Sequence, residues 1–161
     1  MSASTLDFTN PIQVLAATLA GEIREGNRQQ RENVACCILK RQELGYAPSI
    51  IRVCLQPAQF SCWNPRTIHS AVNANYLEMI NMASREPSVW AQLLDVAQDA
   101  VAGKLVSHIG EADSYYNPRL VNGGKPYWAK APAFETANDG LHIFWRVRYL
   151  DKVPNRLPTL S

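Results

Sequence analysis

Val14-Leu15-Ala16-Ala17-Thr18-Leu19-Ala20-Gly21-Glu22-Ile23-Arg24-Glu25-Gly26 runs an apolar helical stripe into a carboxylate. Ile12, Leu15, Ala16, Leu19 and Ile23 recur at three- and four-residue steps, so they share one helix face. At about 100° per residue, Glu22 falls about 70° from the centre of that face, whereas Glu25 points well away from it. Asn10 and Pro11 read as the N-cap and first position of this helix, which ends near Gly26. An acid at the rim of a core, on the last helical turn, is partly desolvated and sits at the negative end of the helix dipole. Both effects disfavour ionisation, which equips a glutamic acid to donate a proton near neutral pH. The bland alternative is a boundary glutamate whose head group reaches water.

Outward from this helix, the pattern stays helical for two thirds of the chain. A second helix is expected from about Gln29 to Leu44, ending at Gly45, with apolar Val34, Cys37, Ile38 and Leu44 alternating with Arg31, Lys40 and Arg41. A short third helix runs from Ser49 to Leu55 and stops at Pro57. A long helical pattern covers Asn73 to Leu105, broken near Glu86-Pro87-Ser88, where Pro87 suits a helix start.

After Gly103 the texture changes. Asn122-Gly123-Gly124 marks a turn or loop, and Asn138-Asp139-Gly140 a hairpin turn. Beyond it Leu141, Ile143, Trp145, Val147 and Tyr149 alternate with His142, Phe144, Arg146 and Arg148, the period of a half-buried strand. The stretch around Ala133 to Ala137 is its natural antiparallel partner. Pro154 and Pro158 fall in a fraying tail. The expected class is α+β: one domain over 1–161, its core about residues 10–150, predominantly helical, with a small antiparallel sheet near the C-terminus.

Composition narrows the function. The chain has 161 residues, 47% apolar and 19% charged, as in an ordinary soluble globular protein. A net charge of +2 is too small to argue for nucleic acid. No apolar run approaches the length of about 18 residues that a membrane span needs. Cys36, Cys37, Cys54 and Cys62 make no paired ligand spacing, so no metal is expected. They read as buried, reduced residues, with a Cys54–Cys62 bridge left open. The first residues, Met1 to Asp7, lack a basic start and apolar segment, so no secretory signal is expected there.

Two segments look unlike generic core. Gln56-Pro57-Ala58-Gln59-Phe60-Ser61-Cys62-Trp63-Asn64-Pro65 interleaves amides, a hydroxyl and aromatics between prolines, which stiffen it and hold Gln59, Ser61 and Asn64 in fixed geometry. Ser114-Tyr115-Tyr116-Asn117-Pro118 and Tyr127-Trp128 set aromatic faces beside amides and hydroxyls, the lining a carbohydrate cleft uses. Aromatics that merely close a core are the competing reading, preferred for Tyr115 and Trp145. His142 reads equally as a site residue or an exposed histidine.

Ala20 to Gly26 resembles the Gly-Glu-Ala-Arg-Gly-Glu signature of the SleB-type cell-wall hydrolases, the spore cortex-lytic enzyme family. The likeness continues through Gln56 to Trp63, close to that family's Pro-x-Gln-Phe-Ser stretch, then Ala112 to Pro118, Pro126-Tyr127-Trp128 and Gly140 to Phe144. Ile23 stands where the family usually has alanine. Glu25-Gly26 replaces glycine followed by an acid, and Ser114 or Tyr116 replaces a histidine common near the tyrosines.

The resemblance implies a lysozyme- and lytic-transglycosylase-like fold acting on peptidoglycan glycan strands, without a cofactor. The implied reaction is cleavage of the MurNAc–GlcNAc β-1,4 bond with Glu22 as the proton donor. Gln59, Ser61, Tyr116 and Asn117 would orient the sugar, Phe60 and Trp128 would line the cleft, and Tyr115 and His142 complete the candidate set. Glu25, Asp113 and Glu135 are the possible second acids, none compelling by spacing. That favours a lytic transglycosylase, which needs one acid and yields a 1,6-anhydro product, over a muramidase.

A rival from another class uses Cys62 as a papain-like nucleophile, with Gln56 six residues before it and His142 as base, held by Asn155. A third reading is a non-catalytic wall-binding module. With no signal sequence or anchoring repeat, the expectation is a protein made in a cytoplasm and released to the wall, as a phage endolysin would be.

Overall fold

The computed structural model describes residues 6–56, 59–66, 71–121 and 124–150. Pro57, the Asn122-Gly123 pair, Asn155 and the C-terminal prolines therefore lie outside the described residues, as do Met1 to Thr5. The fold is α+β and predominantly helical. Six helices precede a three-stranded antiparallel sheet: α1 (Pro11–Ile23), α2 (Arg28–Glu43), α3 (Ile50–Leu55), α4 (Ala74–Ile80), α5 (Met82–Arg85) and α6 (Pro87–Val101). The strands are β1 (Ser114–Tyr116), β2 (Phe134–Asn138) and β3 (Ile143–Arg146), in the order β1-β3-β2. Among the described residues no helix is long and apolar enough to cross a membrane.

Local chemistry accounts for the helix boundaries. Asn10 caps α1 by accepting from the Ile12 and Gln13 amides, with Pro11 in the first position. Asn27 and Gln30 form a reciprocal capping box that starts α2 at Arg28, slightly ahead of the expected opening near Gln29. Gly45, at φ +87°, turns the chain out of α2 while the Tyr46 amide donates back to the Arg41 carbonyl. Ser49 caps α3, and Pro87 opens α6. The long helical pattern breaks twice rather than once, because Asn81 also interrupts it between α4 and α5.

Three expectations about burial need correction, all for one reason: the elements pack on more sides than a single stripe allows. Helix α1 is central, with α2, α3, α4 and α6 packed around it, so every residue from Val14 to Ala20 is buried. Arg31, Lys40 and Arg41 of α2 are buried too, each with a partner, whereas Arg28 at the helix start is exposed. Lys40 pairs with Glu43 and Glu111, Arg31 donates to Gln92 and the Arg24 carbonyl, and Arg41 donates to the Asp113 carbonyl.

Strand β3 is buried on both faces because a separate apolar cluster packs against each of them. Phe144 enters the main core, whereas Trp145 joins a smaller cluster with Tyr116, Ala129 and Ala133. His142 is accordingly buried at 5% exposure, not surface-exposed. The hairpin between β2 and β3 is where the sequence places it: Asp139 accepts from the Leu141 and His142 amides, and Gly140 supplies the positive φ.

Candidate active site

The last turn of α1 is clamped from two sides. The Asn75 amide of α4 donates to the Gly21 carbonyl at 2.9 Å, and Arg31 of α2 donates to the Arg24 carbonyl. These bonds satisfy carbonyls that a helix end would otherwise leave bare. Gly21 has no side chain because Cys62 occupies that space. The single 3₁₀ turn carrying Cys62 (Ser61–Trp63) is tied to the same helix by the Trp63 indole, which donates to Thr18 Oγ1 at 3.0 Å. Asn73 holds the other side of the turn through the Ser61 and Asn64 carbonyls.

Between this turn, the end of α1 and strand β1 lies a groove of about 330 Å³. Glu22, Gln59, Ser61, Tyr115, Asn117 and His142 line it, together with Phe60, Tyr116 and the buried Arg41. Residues far apart in sequence thus meet on one surface. Glu22 is half-buried, and desolvation pushes its carboxyl above the ordinary carboxylate value. Hydrogen bonds from Tyr115 and Cys62, and then the charge of Arg41, pull the other way without cancelling it. Desolvation wins.

The remaining candidates divide by strand alternation and contact. Tyr115 faces the main core side, its ring 4.7 Å from that of His142 and 5.7 Å from that of Phe144. Tyr116 points to the opposite face, where it packs edge-on to Trp128 at 5.8 Å within the smaller cluster. Trp128 does not line the Glu22 groove. It lines an adjoining hollow of about 460 Å³ that shares Arg41, Gln59 and Tyr115 with the groove. The side-chain oxygen of Gln59 accepts from Arg41 at 3.0 Å, Phe60 lies under the Arg41 guanidinium, and Asn117 caps the turn that follows β1. Ser61 is exposed.

Arg41 is the site residue that the sequence did not offer. Its position on α2 reads as one of several solvated charges. Its role at the junction of three elements comes from the long-range bonds to Asp113 and Gln59.

None of the second-acid candidates enters the groove. Glu25 is exposed on the turn after α1, where it shares with Glu22 a separate, open hollow of about 550 Å³, and Glu135 is exposed on β2. Asp113 is fully buried, with its carboxylate already accepting from the Val147 and Arg148 amides, the Tyr46 hydroxyl and Ser114. Among the described residues, Glu22 is the one carboxylate lining the groove.

The geometry opposes a thiol nucleophile. Cys62 is 1% exposed and free of any disulfide, and burial beside the Glu22 carboxylate drives its thiol upward rather than toward the thiolate. The Cys54–Cys62 bridge left open by the sequence is absent, since all four cysteines are free and buried. His142 Nδ1 is buried without a hydrogen-bond partner, so no third group orients this ring as a base. Burial also pushes the imidazole below its ordinary value, with Asp139 opposing only in part.

Comparison with the curated proteins and with the solved structures returns no match. The family model described as "Cell Wall Hydrolase" matches residues 24–145, a span that begins just after Glu22 and takes in the groove's other walls. The chain therefore belongs to the SleB-type cell wall hydrolase family.

Proposed function

We propose that this cell wall hydrolase cuts peptidoglycan glycan strands at the MurNAc–GlcNAc β-1,4 bond as a lytic transglycosylase, with Glu22 as its single acid–base group. One observation carries the reading. A half-buried carboxyl raised by desolvation faces a groove that, among the described residues, holds no second carboxylate.

The protonated Glu22 donates its proton to the glycosidic oxygen as the bond to the muramyl C1 breaks, so the leaving GlcNAc departs as a neutral 4-hydroxyl. The carboxylate left behind then takes the proton of the muramyl C6 hydroxyl, and O6 closes on C1. The sum consumes no water and gives a 1,6-anhydro end. Because attacking and attacked atoms belong to one sugar, the nucleophile needs no second carboxylate to activate it.

Gln59, Ser61 and Asn117 supply amide and hydroxyl groups for the sugar's hydroxyls and N-acetyl arms. Tyr115 and His142 wall the groove beside the acid, and Phe60 backs it. Tyr116 lines the groove farther along, and Trp128 lines the adjoining hollow. The anchored carbonyl of Gln59 fixes that amide and leaves its NH2 end for a ligand.

The test is mass spectrometry of fragments released from sacculi, with and without borohydride. The wild type should release anhydro-muramyl ends that borohydride does not reduce, and Glu22→Gln almost none. Reducible muramyl ends would make the enzyme a hydrolytic muramidase. Release unaffected by Glu22→Gln would remove the acid from its role, and tight sacculus binding without release would make the chain a wall-binding module.

A further inference from the structure

We infer that the hollow beside the groove is a carboxylate-binding subsite, in which Arg148 takes an acidic group carried on the lactyl arm of the muramyl sugar. The inference rests on the glycan-strand reading above and deepens it.

The charge balance around this hollow is one-sided. Two arginines, Arg41 and Arg148, line it, while Arg146, two residues before Arg148, pairs with the buried Asp113 carboxylate at 3.9 Å. Arg41 and Arg146 are buried and have N–H groups committed to backbone carbonyls, which accept hydrogen bonds but cancel no charge. Asp113 is saturated from within the fold and fully buried, so it offers nothing to a ligand.

Arg148 differs. Its backbone amide is pinned to Asp113 at 2.9 Å, and the residue is exposed. Its guanidinium lies over the Tyr46 ring at 5.1 Å, which orients the planar fork without occupying its N–H donors. Among the described residues no carboxylate lines the hollow.

The walls suit a group attached to a sugar. Tyr127, exposed at 86%, and half-buried Trp128 present aromatic surface, and Ser114 adds a hydroxyl. Arg41, Gln59 and Tyr115 line both this hollow and the Glu22 groove, so a substituent on a sugar seated in the groove enters the hollow without crossing bulk solvent. Peptidoglycan offers a carboxylate there from two sources. One is the peptide joined to the lactyl oxygen arm, and the other is the lactyl acid itself where the peptide has been removed. A fixed arginine fork pairs with either in the same bidentate manner.

The experiment is calorimetric titration of the wild type with GlcNAc-MurNAc disaccharides, which lack the scissile MurNAc–GlcNAc bond. Three ligands are compared: peptide-bearing with free carboxylates, the same with every carboxylate amidated, and peptide-free with the lactyl acid exposed. The free-carboxylate peptide ligand should bind about tenfold tighter than the amidated one, the size of one charge-assisted pair. Arg148→Gln should erase that gap and Arg148→Lys restore part of it.

The peptide-free ligand identifies the source, since affinity equal to the peptide acid's shows that the fork takes the lactyl acid as well and weaker binding assigns the site to the peptide alone. Equal affinity for free and amidated ligands, or a gap that survives Arg148→Gln, overturns the subsite while leaving the glycan-cleavage reading intact. Failure to bind any of the three, together with no fragment release from sacculi, sinks both.

Discussion

A methyl group placed on Gly21 would sit 2.4 Å from Cβ of Cys62 and 2.7 Å from its sulfur, so the helix that carries Glu22 and the turn that walls the groove touch backbone to side chain. In an isolated helix, glycine to alanine gains about 1 kcal/mol. Here the contact involves a Cβ fixed to the turn's backbone, which cannot swing aside, and overpacking of that kind costs about 1–3 kcal/mol. The clash should win. Gly21→Ala should unfold at lower denaturant than wild type and lose lytic activity while its far-ultraviolet dichroism remains helical. A stabilised, fully active variant would show that the turn has room to move.

Glu22 should be a liability for stability and an asset for chemistry. Its folded pKa is raised by desolvation. Its contribution is therefore most favourable below the unfolded value, where it is protonated in both states, and is lost as pH rises through the folded value. Glu22→Gln removes that loss. The variant should melt higher than wild type near neutral pH, with the advantage shrinking toward zero as pH falls below the ordinary glutamate range. Each kcal/mol recovered is worth about 2–4 °C in a chain of this size. Lysis should drop by about 10²–10⁴-fold, the usual worth of general acid catalysis. Calorimetry across pH reads the first effect and turbidity loss of sacculi the second.

What was legible in the sequence follows from how local each signal is. Helix ends at Asn10-Pro11, Gly45 and Ser49, and the β2–β3 hairpin at Asp139-Gly140, are written in neighbouring residues and were readable there. The strand formed by Ser114 to Tyr116 was not, because its three residues carry too little alternation to declare a period. Its pairing with Ile143 to Trp145 lies some thirty residues away. Burial of Arg31, Lys40 and Arg41 was invisible for a related reason. Each charge is tolerated only through partners such as Gln92, Glu111 and Asp113, which lie on distant elements. Glu22 could be singled out from helix periodicity and family likeness, but what tunes it, burial first, then the bonds from Tyr115 and Cys62 and last the charge of Arg41, required the three-dimensional fold.

Asp113 should be worth more to the fold than any other carboxylate described. It joins β1 to the end of β3 through the Val147 and Arg148 amides at 2.8 and 2.9 Å, and takes the Tyr46 hydroxyl at 2.8 Å. It is also the buried negative charge beside Arg146. Asp113→Ala strands these donors and the arginine together, at a cost of about 3–5 kcal/mol. By contrast, Glu135→Ala on exposed β2 should change stability by less than about 0.5 kcal/mol. Urea midpoints of the two variants make the comparison, and a small loss for Asp113→Ala would mean that solvent replaces its bonds.

Tyr115 and Cys62 both favour the charged form of Glu22, so removing either donor should raise the acid's pKa further. If protonated Glu22 starts the reaction, the alkaline limb of the kcat/KM profile follows that pKa. Tyr115→Phe keeps the ring that packs against His142 and Phe144 and deletes only the hydroxyl, so the limb should move to higher pH with the fold intact. Cys62→Ala should shift it in the same direction, and by less, because Tyr115 makes the larger contribution. Both variants should keep measurable lysis below the limb, which also separates an acid mechanism from one that needs the thiol. An alkaline limb that stays fixed in both variants, or moves down, would mean that a group other than Glu22 sets it.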